Sequence, residues 1–326
     1  MRFAIVGCGL IGQKRARSFG GRHELVVAAD VIPARAEALA RQSGRAVATT
    51  DWAAAVTRGD VDAVIVATTN ESLAPVSLAA IRAGKHVLVE KPAARNSAEL
   101  EPVLHAARQH RVTVQVGFNH RCHPAVRKAR ELFDADELGP LMFIRARYGH
   151  GGRIGYDREW RADPELSGGG ELLDQGVHLI DLASWFLGPF VRVEGFAHTY
   201  FWNMPVEDNG FLLLRTASDQ VAFLHASCTE WKNLFSFEIY GRNAKLHIEG
   251  LGGSYGVERL SFYRMLPQMG PPETTIWEYP GEDKSWEIEL DAFCGFIERG
   301  ETPRPGLEDS IACLKIVEEA YRRSKA

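Results

Sequence analysis

The sequence predicts an α/β chain: a doubly wound parallel sheet at the amino end, then an α+β half built on a large, mostly antiparallel open sheet. Three observations predict it. Through the first 120 residues, short apolar runs alternate with Ala-, Leu- and Arg-rich stretches of helical spacing. After about residue 120, strand-like runs follow one another with only turns between them. The chain has 326 residues, more than one core usually serves, which sets a division into 1–120 and 121–326.

The strands of the first half are read at "FAIV", "LVVAAD", "DAVIVAT", "HVLVE" and "TVQVG", with helices over Gln13–Phe19, Ala34–Arg41, Leu73–Ala83 and Ala98–Gln109. In the second half a helix at "HPAVRKARELF" precedes the strand "LMFIRARYGH". The turn Gly168-Gly169-Gly170 then opens an apolar helix from Glu171 to Leu187. Between Val191 and Glu278 lie strand-like runs such as "GFLLLRTA" and "FSFEIYG", and helices near Ser285–Glu298 and Leu307–Arg323 close the chain. So few helices cover only one face of so large a sheet. The other face is expected to meet a second subunit, giving a homo-oligomer.

A net charge of −4, with Lys and Arg spread along the chain, points away from nucleic acid and anionic membranes. Five scattered cysteines without a CxxC fit a reducing cytoplasm better than a disulfide framework. The longest apolar stretch, around "LASWFLGPFV", is shorter than the ~20 residues a membrane span needs. A small-molecule partner is the expectation.

"IVGCGLIG" sets Gly7, Gly9 and Gly12 as G-x-G-x-x-G between a strand and a helix. The first glycine allows the tight turn, the second lets backbone approach a pyrophosphate, and the third permits close helix–strand packing. The helix N-terminus offers that pyrophosphate unpaired N–H donors. Asp30 ends the second strand 18 residues beyond Gly12, where an acceptor for the ribose 2′-hydroxyl belongs. A carboxylate there repels a 2′-phosphate, so NAD is expected; Arg35 nearby keeps NADP open. Read locally, Asp30 is also compatible with a simple turn before Pro33.

"HVLVEKP" ends a buried strand in Glu90-Lys91-Pro92, on the sheet edge where open α/β sheets bind ligands. Proline biases Lys91 away from helical geometry and is compatible with a cis bond. A surface lysine before a helix-starting proline is the plain alternative. In "GGGELLDQGVHLIDLASWFLG", Asp174, His178 and Asp181 fall at i, i+4 and i+7, so an α-helix puts them on one face. That helix is apolar nearly all round, and ionisable groups buried on it need partners or a wet cleft. They suit acid–base work, or they stack merely for stability. No compact ligand set completes a metal site; "NHRCH" (His120, Cys122, His123) comes nearest.

Taken together, the glycine loop, "EKP" at 90–92, "VGFNHR" at 116–121 and "GGGELLDQGVHLIDLASWFLG" resemble the glucose–fructose oxidoreductase, inositol dehydrogenase and MocA family over essentially the whole chain. The resemblance implies an N-terminal Rossmann domain, a second α+β domain whose open sheet forms a homodimer or homotetramer, and hydride transfer between nicotinamide and a hydroxyl carbon of a sugar, sugar derivative or cyclitol. It makes Lys91 the group that contacts the substrate hydroxyl, His178 the acid–base histidine and Asp174 its acidic companion. To the cofactor it assigns Gly7, Gly9, Leu10, Ile11, Gly12, Asp30, Thr68, Asn70, Glu90, Lys91, Pro92 and Asn119. To the substrate it assigns Lys91, Arg121, Asp174 and His178. One departure is visible: "TNESL" puts Thr69 before Asn70 and Leu73 where the family often has histidine.

Tyr156, Trp160 and Arg161, in the loop before the helix, add aromatic faces and a guanidinium suited to a sugar ring, or they anchor an ordinary surface loop. Two other functions stay open beside the dehydrogenase: a redox-neutral sugar enzyme that retains NAD, and a non-enzymatic NAD sensor.

Overall fold

A computed structural model describes residues 1–324, which fall into two compact units. Among the described residues, the first takes 1–118 with 165–168 and 286–314; the second takes 119–164, 169–285 and 315–324.

The first unit holds a six-stranded parallel sheet of β1 (Arg2–Val6), β2 (Glu24–Ala29), β3 (Val47–Thr49), β4 (Ala63–Val66), β5 (His86–Glu90) and β6 (Val114–Gly117). Their order is β3-β2-β1-β4-β5-β6. The order reverses between β1 and β4, and ligands of such sheets lie outside the strand carboxyl ends at that point. All four residues of β4 are buried, as the unbroken apolar run "AVIV" requires of a strand covered on both faces. Phe3, Ile5, Leu25, Leu39, Ile65 and Leu88 build its main core.

Three features differ from the sequence reading. β3 and the helix Trp52–Thr57 were not foreseen, because three residues and six residues are too short to show a period. Asp51 starts that helix by accepting the Ala54 N–H at 2.9 Å. The segment 286–314, expected in the second half, belongs to the first unit. Leu290 and Phe293 of the helix Ser285–Arg299 join Phe3 and Ile5 in that core. An apolar helix face fits any core of the right shape, and spacing does not say which.

The second unit holds an eight-stranded sheet of β7 (Leu141–Gly149), β8 (Phe190–His198), β9 (Asn209–Thr216), β10 (Val221–Ser227), β11 (Leu234–Gly241), β12 (Ala244–Glu249), β13 (Glu258–Arg264) and β14 (Glu273–Tyr279). The order is β14-β13-β12-β11-β7-β10-β9-β8, with β7 and β10 parallel and the other neighbours antiparallel. β7 shows the alternation of a half-covered sheet: Ile144, Ala146 and Tyr148 are buried, Phe143, Arg145 and Arg147 exposed. The helices Pro124–Asp134 and Val177–Leu187 pack on the buried side. Across the other side, register aligns Leu213, Phe223, Arg145 and Glu238 in one row. No helix among the described residues is long and apolar enough to cross a membrane.

Candidate functional site

In the first unit β1 runs into Gly7, whose φ of 92° favours glycine, and Gly9 caps the helix Leu10–Arg17 without any side-chain cap. A Cβ at Gly7 would sit 2.3 Å from the Ala67 carbonyl oxygen, and one at Gly12 would sit 2.0 Å from that of Gly7. At Gly9 a Cβ would meet nothing within 4 Å, so the middle glycine faces open space. Leu10 beside it is exposed. Asp30 is buried; its Oδ2 accepts the Cys8 N–H at 2.7 Å and its Oδ1 the Ile32 N–H at 2.9 Å. The carboxylate thus braces the glycine loop while keeping lone pairs for a further donor. A bare helix N-terminus, an open approach at Gly9 and a carboxylate at the end of β2 fit the pyrophosphate and ribose of a dinucleotide.

Lys91 leaves the carboxyl end of β5 on the same sheet edge, and its peptide bond to Pro92 is cis. Glu90, expected at the cofactor, is buried and ion-paired. Arg15 donates from Nε to Glu90 Oε1 at 2.7 Å and from Nη1 to Glu289 Oε2 at 2.5 Å. The Arg15 and Glu289 side chains are wholly buried, and the guanidinium lies 4.5 Å from the Trp286 ring centroid. A Cβ at Gly117, the end of β6, would come within 2.7 Å of Arg15 Nη2. This network fastens the strand that delivers Lys91 to the helix that follows the glycine loop. Asn70 donates to the Ser167 carbonyl at 2.8 Å, and Thr68 Oγ1 donates to the Thr69 carbonyl at 3.0 Å.

In the second unit the helix bearing His178 is anchored at its start by buried Glu207. Its oxygens accept the Gly170 N–H at 2.9 Å, the Leu172 N–H at 3.0 Å and the Tyr321 hydroxyl at 2.7 Å. Burial still pushes the Glu207 carboxyl up from its ordinary value. The uniform α-helix expected from Glu171 is not found: Leu172–Gly176 form a π turn, and α geometry begins at Val177. Single π turns inside helices recur at functional sites, and this one changes the phase between Asp174 and His178.

Asp174 Oδ2 accepts from Arg161 Nε at 2.9 Å, and the Arg161 guanidinium lies 4.7 Å from the Trp160 ring centroid. Asp174 holds Arg161 above its ordinary pKa despite burial. Asp181 accepts both forks of Arg121, at 2.8 and 2.6 Å, so Arg121, expected at the substrate, is committed to an ion pair. Asn119, expected at the cofactor, is buried and donates to Ser285 Oγ at 2.9 Å. Tyr156 is buried too, its ring 5.4 Å from that of His150, and burial raises its phenol.

The sequence reading missed His120 as a partner of His178: the two rings stack at 3.7 Å with 18° between their planes. Tyr148 and Tyr255 stand nearby, rings 5.2 Å apart, with burial pushing the Tyr148 phenol well up. Among the described residues no three His, Cys, Asp or Glu side chains gather as a metal site.

Two models of one family match this chain: the oxidoreductase family with an NAD-binding Rossmann fold over residues 1–118, and the GFO/IDH/MocA C-terminal domain over residues 126–247. The chain belongs to the GFO/IDH/MocA oxidoreductase family. The residues matched by the NAD-binding Rossmann model span the whole six-stranded sheet, the glycine loop and Asp30. Among relatives in this family, the inositol 2-dehydrogenase of Rhizobium meliloti is 26% identical over 99% of this chain and 96% of its own length. The levoglucosan dehydrogenase of Pseudarthrobacter phenanthrenivorans is 28% identical over 64% of this chain, the match spanning only 57% of that protein. A levoglucosan dehydrogenase solved with NADH and levoglucosan superposes with a TM-score of 0.90 at 22% identity, over 99% of this chain and 97% of that one, a likeness of fold.

Proposed function

We propose that this family member is an NAD-dependent dehydrogenase acting on a hydroxyl carbon of a sugar, sugar derivative or cyclitol. The observation that carries the reading is the pair of prepared half-sites. One is a lysine held at the carboxyl edge of a dinucleotide sheet by a buried ion network; the other is a buried histidine next to a π turn. The two relatives named above, dehydrogenases of inositol and levoglucosan, supply the substrate class.

Gly9, the helix N-terminus and Asp30 would hold the NAD pyrophosphate and ribose. Bound NAD supplies the hydride acceptor. A free secondary alcohol is too weak an acid to lose its proton unaided at neutral pH. His178 takes the hydroxyl proton, a task suited to imidazole, whose reference pKa is about 6.5. Lys91 places an ammonium against the developing alkoxide. Asp174, with its charge shared by Arg161, orients the proton-transfer groups from the preceding π turn. In reduction the same groups return the proton. Asp30 sets the preference for NAD, since a 2′-phosphate would meet its carboxylate.

We also propose a second copy of the chain as the cover for the open face of the eight-stranded sheet, where Phe143, Phe196, Leu213 and Phe223 are exposed.

The test is a panel of inositols, anhydrosugars and aldoses assayed with NAD and NADP. Turnover with NAD on at least one polyol is expected, with kcat lowered roughly 100-fold by Lys91→Ala, the scale of removing one charge-stabilising group. Wild-type rates in that variant would overturn the assignment.

A further inference from the structure

His178 is held in place by one short segment. Asn119–Cys122 form a single 3-10 turn directly after the last strand of the first unit, and two consecutive residues of it reach the same helix. The His120 ring lies flat on the His178 ring, centroids 3.7 Å apart. Arg121 forks onto Asp181, three residues further along that helix. One face of the helix is therefore gripped at two successive points, one by ring stacking, the other by an ion pair.

The turn is itself well fixed. His120 Nδ1 lies 3.2 Å from Asn119 Oδ1, whose amide donates to Ser285 Oγ. Around the His120 ring stand His123 at 5.6 Å, Tyr148 at 5.1 Å and Phe235 at 5.9 Å, all edge-on. His123 is held in turn by Glu258 at 2.9 Å, and the Ala125 N–H donates to the same carboxylate at 2.6 Å. His120 is thus a rigid plate, 5% exposed, backed by aromatic edges.

An imidazole on a helix turns readily about its terminal torsion, which is broad and about two-fold. A base must present one nitrogen within hydrogen-bond reach of the proton it removes. Stacking against a fixed plate removes that freedom. We propose that His120 is the positioning residue of His178, its ring setting the plane in which the catalytic imidazole lies. The proposal rests on the dehydrogenase reading above. Aromatic contact, rather than the second imidazole's ionisation, is what the geometry uses, so a flat hydrocarbon ring can replace it.

The experiment compares the full-length His120→Ala, His120→Phe and His178→Ala variants, using NAD with myo-inositol and with levoglucosan as probes. In His120→Ala kcat should fall by roughly 10- to 100-fold, the scale of a misplaced reacting group, with KM and NAD affinity unchanged. His120→Phe should recover most of that loss. A crystal structure of His120→Ala supplies a readout that needs no turnover: the His178 ring should leave its plane or divide between rotamers. Wild-type kcat in His120→Ala, no recovery in His120→Phe, or an unmoved His178 ring would each overturn the proposal. Full activity in His178→Ala would instead overturn the dehydrogenase mechanism, so the two failures can be told apart.

Discussion

Arg15 in the first unit and Arg145 in the second both pair with carboxylates beside a sheet, but Arg15 is wholly buried while the Arg145 side chain is 56% exposed. The difference follows from the sheets. The parallel sheet is covered on both faces, so a charge within its layers must be satisfied by Glu90 and Glu289 and roofed by Trp286. The antiparallel sheet is covered on one face, so Arg145, Glu238 and Lys245 lie on the side left for solvent or a partner. Buried pairs fix geometry and fail badly when halved; exposed pairs contribute little and are easily exchanged.

Removing half of the buried network should have the largest effect. Arg15→Ala leaves two carboxylates facing each other in the interior and should destabilise the fold by about 3–5 kcal/mol in denaturant unfolding. A loss below about 1 kcal/mol, the scale of exposed pairs, would erase the contrast between the two sheets. Next comes Phe223→Asp, on the open face. If a second copy covers that face, light scattering should show a lower mass for the variant at equal concentration; an unchanged mass would assign the face to solvent.

The smallest expected effect lies at Glu238. Burial alone would raise its carboxyl, but Arg145, Lys245 and Tyr240 together bring it from 4.5 down to about 2. A depressed folded pKa adds stability above pH 4.5 that is lost as pH falls towards 2. With Arg145 half in solvent this amounts to about 1 kcal/mol or less. Arg145→Ala should flatten the acid limb of the stability curve, and a limb of unchanged slope would remove Arg145 as its cause.

Much of the architecture was legible because period and burial are linked. "AVIV" and "HVLVE" are continuous runs and became doubly covered strands; "LMFIRARYG" alternates and became a half-covered one. The nucleotide motif was legible because three glycines and an acid at fixed distances have few other uses. Glu90, Asn70, Asn119 and Arg121 were harder. Their neighbours in the chain set them at the expected site, and spacing gives no sign of the partners their side chains also meet, Arg15, Ser167, Ser285 and Asp181. Arg15 itself carried a signal, a cation three residues after Gly12 on the inward side of a helix. The histidines of "NHRCH", the nearest the sequence comes to a metal set, meet His178 and Glu258, partners that spacing does not show.

By itself the sequence determined the two fold classes, the dinucleotide loop and the residue types able to do acid–base work, since these depend on local spacing. Only the tertiary structure decided that 286–314 returns to the first unit, that a π turn precedes His178, and that His120 stacks on it. Those outcomes depend on which distant groups meet, because a buried charge or ring takes whichever partner satisfies it, and separation along the chain carries no record of that choice.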